Sequence, residues 1–214
     1  WFERARTLPE TANHPKIYAQ VLNHLGRQTW TQEDFCDAHA FLEESQVIAI
    51  SLGVDGEQIL ADTLNWLGLV TLYYDQDRPS AQAMFEQSLE LYEKWQNHQG
   101  AALSTFHLGI LHSDQGNGAL AFSLLEKSLS LFELDGDQFF IARVSLYLGY
   151  ELLRQGNIDQ ALTLLERQLT IDQQLKFWDG IADGWRNIGY LYYSQQMYEE
   201  AQHYFEQSVI VCRQ

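Results

Sequence analysis

Residues 141–175 read IARVSLYLGYELLRQGNIDQALTLLERQLTIDQQL, and this stretch decides the fold. In its first part Ile141, Ser145, Leu148 and Leu152 follow helical spacing. Gly156-Asn157 then breaks the helix. Asn157 is placed to cap a second helix, with Gln160 three residues on as a capping-box partner. That second helix carries Ala161, Leu164, Leu165, Leu169 and Ile171 on its apolar side, and Phe177-Trp178-Asp179-Gly180 ends it and starts the next unit.

The same helical pair recurs along the chain. Leu25-Gly26, Leu67-Gly68, Leu108-Gly109, Leu148-Gly149 and Ile188-Gly189 place glycines 42, 41, 40 and 40 residues apart by subtraction. A period in this range marks a solenoid of stacked units. Seven residues before each glycine stands Ala19, Ala61, Ala102, Ala142 or Ala182. Twelve after it stands Ala38, Ala121, Ala161 or Ala201, and the second copy needs thirteen to reach Ala81. One inserted residue near Asp77-Arg78-Pro79 accounts for the difference. Five beyond each alanine comes Glu43, Glu86, Glu126, Glu166 or Glu206, preceded by Leu42, Phe85, Leu125, Leu165 or Phe205.

Small residues at fixed levels let two helices approach at the short end of the roughly 8–10 Å range of helix packing. The large apolar residues fill the seam. Each pair leaves one flank wet, which the next copy covers, so no single copy should fold alone.

The pattern resembles a tetratricopeptide repeat in its longer form of roughly 40 residues. The family's motif positions are filled by Leu64 or Trp185, the Leu-Gly pairs, Tyr192, the second-helix alanines, and Phe85 or Phe205. The resemblance covers about residues 15–214. The family's proline at the end of the second helix is absent. It implies an all-α, right-handed α-solenoid superhelix of about five hairpins, at 15–54, 55–97, 98–136, 137–177 and 178–214. Residues 1–14 then end a preceding repeat helix, Trp1 to Leu8 reading as its tail.

A narrower likeness comes from WFERARTLPE, FLEESQVIAISLG, LLEKSLSLFE and DGIADGWRNIGYLYY. These phrases resemble the C-terminal helical sensor of bacterial signal-transducing ATPase transcriptional regulators of the maltose-activator type. The resemblance implies a sensor role beside an adjacent ATPase switch domain in a longer protein. The chain itself holds no GxxxxGK[ST] loop. A start at Trp1 and the apolar run Val209-Ile210-Val211-Cys212 suggest an excised piece, or an end that pairs with a second copy.

Composition narrows the partners. Hydrophobic residues make up 46% and argue against disorder. The balance of 13 basic against 29 acidic residues gives −16, which repels a phosphate backbone and argues against direct nucleic-acid binding. No apolar run approaches membrane-spanning length and no N-terminal signal pattern is seen. Cys36 and Cys212 fall in the first and last copies, so a bridge between them is not expected and a reducing cytoplasmic setting fits.

Little points to chemistry. Cys36 and His39, with Asp37, give half a metal site and no second pair. His107 and His112 are five apart, a poor spacing for one helix face. Acid pairs such as Glu43-Glu44 read as solvated faces, and the five repeat glutamates as structural. No catalytic triad order stands out, so no catalytic residue, metal or cofactor is assigned.

In this kind of repeat the first helix of each pair lines the concave side. Levels counted from the glycines place Gln20, Asn23, Arg27, Asp62, Asn65, Leu69, Tyr73, Leu103, Phe106, Ile110, Arg143, Leu146, Tyr150, Arg154, Asp183, Arg186, Tyr190 and Tyr193 in that groove. Asn23 and Asn65 are expected to sit side by side and grip a peptide backbone. Leu103, Phe106, Ile110 and Leu146 form its apolar middle, and the tyrosines add flat amphipathic area. Arg27, Arg143, Arg154 and Arg186 offer a subsite for a carboxylate or phosphate, unless they pair with acids such as Asp183 or Asp114. The expectation is a non-catalytic sensor domain that binds a protein, a peptide or a small-molecule inducer. The alternative is a stand-alone adaptor holding a peptide or protein partner in the same groove.

Overall fold

The computed structural model describes residues 14–212. The expected tail of a preceding helix at Trp1 to Leu8 lies outside the described residues. Ten α-helices run through them: α1 Pro15–Thr31, α2 Phe35–Ser51, α3 Glu57–Tyr73, α4 Arg78–Lys94, α5 His98–Asp114, α6 Gly118–Asp135, α7 Gln138–Arg154, α8 Ile158–Leu175, α9 Trp178–Ser194 and α10 Tyr198–Val211. A 3-10 turn, Gly53–Gly56, joins α2 to α3, and no strand occurs among the described residues. The described residues form two compact units, divided after Leu111 inside α5.

Local sequence sets the helix limits. Asp34, Asp77 and Asp137 accept hydrogen bonds from the backbone N–H groups of Asp37, Ser80 and Phe140, and Asn97 Oδ1 accepts from Gly100 N–H. These side chains satisfy donors that a helix start leaves open. Asn157 stands at the N-cap of α8 as expected, but its side chain makes no capping bond; only its backbone carbonyl takes part, accepting from the Ala161 N–H at 3.0 Å. The turns 32–34, 115–117, 155–157 and 195–197 are alike, and 74–77 is one residue longer. That extra residue shifts the register of the second copy.

Within each unit the small residues lie where helices touch. All ten periodic alanines are buried. In four copies the apolar residue before the repeat glutamate rests on a glycine: Leu42 on Gly26, Phe85 on Gly68, Leu165 on Gly149 and Phe205 on Gly189. A serine column adds a polar tie. Ser45, Ser88 and Ser208 donate to the backbone carbonyls of Ala19, Ala61 and Ala182 at 2.9, 2.7 and 2.9 Å. The fourth member of this column is Gln168, and it behaves differently.

Candidate functional site

In the first unit the first-helix face is built by α1, α3 and the start of α5. Lys16, Gln20, Asn23 and His24 of α1 face Gln58, Ile59 and Asp62 of α3 across a cleft of about 130 Å³. Gln20 and Arg27 are exposed, and the Arg27 guanidinium lies 5.1 Å from the centre of the Trp66 ring. Asp62 keeps an exposed edge. Burial of its carboxyl raises its pKa, against the pull of the Tyr92 hydroxyl, which donates to it, and of His24 and Arg27.

The expected asparagine grip is not available on this face. Asn23 Nδ2 donates to Thr63 Oγ1 at 2.9 Å, within a chain that includes Ser45. Asn65 is fully buried, and its Oδ1 accepts from Ser104 Oγ at 3.3 Å and meets His107 Nδ1 at 3.0 Å. Both amides serve the interior because in these copies the level three before the glycine points into the helix seam. Phe106, at the same level, is buried, as are Leu69 and Ile110 one residue after their glycines, while Leu103 is half-buried. Tyr73 is exposed, its ring 5.8 Å from Trp30.

In the second unit α7 and α9 bring a polar group together. Tyr150 OH donates to Asn187 Oδ1 at 2.6 Å, and the Tyr147 ring lies 6.2 Å from Tyr150. Asp183 and Arg186 pair at 2.6 Å. Arg143 is half-buried and has no acid within ion-pair distance among the described residues. Its charge is felt at Tyr147 and at Asp172. Asn187 is buried with Nδ2 unpartnered. Burial raises the hydroxyl pKa of Tyr147 and Tyr150, so both stay neutral donors.

The four groove arginines do not act alike. Arg186 is held by Asp183, as the pairing alternative expects. Arg154 donates to the Ser113 carbonyl at 3.0 Å and lies 3.5 Å from buried Glu151. Arg27 lies over Trp66. Leu146 belongs to the core, while Tyr190 and Tyr193 are exposed and edge onto Phe205 and Tyr198.

Sequence reasoning missed the level two residues before each glycine. It holds His24, Trp66, His107, Tyr147 and Asn187, all polar or aromatic. That run was the available signal. No group of three or more His, Cys, Asp or Glu among the described residues is placed to hold a metal, and no helix of the described residues is long and apolar enough to cross a membrane.

The tetratricopeptide repeat family model matches residues 59–134 and 140–214, and the chain belongs to that family. A comparison with curated proteins returns no match. Among solved structures, BtubC (BKLC) from P. vanneervenii is 18% identical with a TM-score of 0.80, covering 99% of this chain and 86% of that one. A putative kinesin light chain with nearly identical TPR-like repeats, from Podosopora anserina, is 17% identical with a TM-score of 0.70, covering 92% and 95%. PilF from Pseudomonas aeruginosa is 16% identical with a TM-score of 0.69, covering 92% and 78%. At these identities the likeness shows the fold alone.

Proposed function

We propose that this protein holds a protein or peptide partner, without catalysis, on the first-helix face of its second unit. The observation that carries the reading is an unused charged donor there. Arg143 is half-buried and has no acid within ion-pair distance among the described residues. Tyr147, Tyr150 and Tyr190 of the same two helices add flat area that orders at low entropy cost. A carboxylate of the partner supplies the missing acceptor. The repeat fold supports a binding role of this kind.

Within that reading we place the chain as the sensor of a larger bacterial cytoplasmic regulator, on the sequence phrases that resemble such sensors. Partner binding would then favour one state of an attached switch through differential affinity. A stand-alone adaptor uses the same face with no switch attached. The parent gene separates the two: a GxxxxGK[ST] motif upstream in the same reading frame supports the sensor, and a short frame without it supports the adaptor.

The binding face is tested by photo-crosslinking. A benzophenone amino acid placed at Tyr190 is compared with one at Leu134, an exposed residue of α6. Partner adducts at residue 190 that vanish in Arg143→Glu, with none at residue 134, support the face. Equal adducts at both, or adducts insensitive to Arg143→Glu, refute it.

A further inference from the structure

One side chain stands out at the junction of α8 and α9. Four residues after Ser45, Ser88 and Ser128 of this column comes a core residue: Ala49, Tyr92 and Phe132 are all buried and apolar or aromatic. The fourth copy places Asp172 there, with 1% of its surface exposed. In the same copy the column serine is replaced by Gln168, also 1% exposed. The two substitutions fall on one face of α8, one helical turn apart, and the side chains are in contact.

Their hydrogen bonds fix the amide orientation. Gln168 Nε2 donates to Asp172 Oδ2 and to the Gly180 carbonyl at 2.8 Å. A backbone carbonyl can only accept, so the atom facing Gly180 must be the nitrogen. That leaves Gln168 Oε1 as an acceptor without a donor, and Asp172 Oδ1 is likewise buried and unpartnered. Space is short on the opposing helix: a Cβ at Gly180 would meet Asp172 Oδ2, and one at Gly184 would come within 2.7 Å of Gln168 Oε1. Two neighbouring buried acceptors share the lack of one hydrogen.

We propose that Asp172 is a proton-binding site of the fold. It is carried as a neutral carboxylic acid whose Oδ1–H donates to Gln168 Oε1, and its ionisation loosens the α8–α9 junction. Ionisation breaks the Oδ1–H bond, sends the proton to solvent and leaves a carboxylate beside an amide oxygen. The charged groups facing Asp172 are Arg143 from α7 and Asp183 from α9. Burial opposes the carboxylate most strongly; the Gln168 amide hydrogen bond and Arg143 favour it, and Asp183 opposes it. Such a carboxyl is a pH-sensitive fastening between the last two hairpins of the second unit, beneath the face that carries Arg143 and Asp183.

The test titrates the Cγ carbon of Asp172 by NMR in the full chain. A midpoint at least one unit above the ordinary aspartate value of about 3.9 supports the proposal. Any lower midpoint overturns it, because Arg143 would then be holding an ionised carboxylate. A second readout is the melting temperature of the native chain minus that of Asp172→Asn, whose amide donates to Gln168 at every pH. This difference falls as pH rises through the Cγ midpoint; a difference that is flat or rises with pH overturns the proposal. If Asp172→Asn does not fold, the Cγ titration of the native chain decides alone.

Discussion

The Phe85 ring rests on Gly68 so closely that a Cβ built at Gly68 would lie 2.7 Å from Phe85 Cε1. Glycine in mid-helix normally weakens a helix by roughly 0.5–1 kcal/mol relative to alanine. Here the ring decides the sign. Gly68→Ala is predicted to destabilise the protein by about 1–3 kcal/mol through overpacking, read as a lower urea midpoint. Adding Phe85→Leu, which withdraws the ring edge, should recover part of the loss.

A turn residue gives the opposite outcome. Gln96 takes a left-handed backbone, φ 52°, between α4 and α5, where the corresponding turn after α6 uses Gly136 at φ 72°. A side chain there costs roughly 1–2 kcal/mol. Part of that is offset because glycine gains more freedom when unfolded. Gln96→Gly is therefore expected to raise stability by about 0.5–1 kcal/mol, seen as a higher midpoint with an unchanged urea slope.

His107 makes the fold sensitive to acid. Burial lowers its pKa from 6.5 to about 3. The unfolded chain takes up a proton near pH 6.5 that the folded chain refuses until about pH 3. This contribution is whole above pH 6.5 and is lost as pH falls from there toward 3. At pH 5 the loss is about 2 kcal/mol, from roughly 1.4 kcal/mol per pH unit. His107→Gln, which cannot charge, should close the gap with the native chain as pH falls from 7 to 5. Parallel curves for the two proteins would assign the acid sensitivity elsewhere.

The serine column predicts a further cost. Ser88 Oγ donates to the Ala61 carbonyl and lies 3.0 Å from Ser104 Oγ, with both serines fully buried. Ser88→Ala removes a donor from the interior and should cost about 1–3 kcal/mol. An exposed serine such as Ser130 provides the control, with Ser130→Ala close to neutral.

The repeat was legible in the sequence because packing repeats with it. Ala19 and Ala38, Gly26 and Leu42 mark helix contacts that recur about every 40 residues, and the structure places them in those contacts. The odd register at Ala81 is visible in the sequence as one extra residue, and the structure places it in the longer turn 74–77. The face was less legible, because a helix has more than one inner side. Asn65, Phe106 and Leu146 share a level that looks outward by counting and is buried in the fold. Neighbouring helices, which a single-helix count omits, decide which side stays wet. Asn187 and Tyr147 escaped notice because their level was not among those counted toward the groove. Gln168 and Asp172 were visible only as breaks in columns of serine and of core residues, and the column must be recognised before its exception means anything.

The central claim is that a partner sits on the α7 and α9 face and is held by Arg143. It is tested most directly by calorimetric titration of the crosslink-identified partner against three proteins: native, Arg143→Glu and Arg167→Glu. Arg167 pairs with Glu133 on α6 at 2.7 Å and serves as the control. The account predicts at least a tenfold weaker Kd for Arg143→Glu and an unchanged Kd for Arg167→Glu. An Arg143→Glu variant that folds and binds as tightly as the native chain would contradict it.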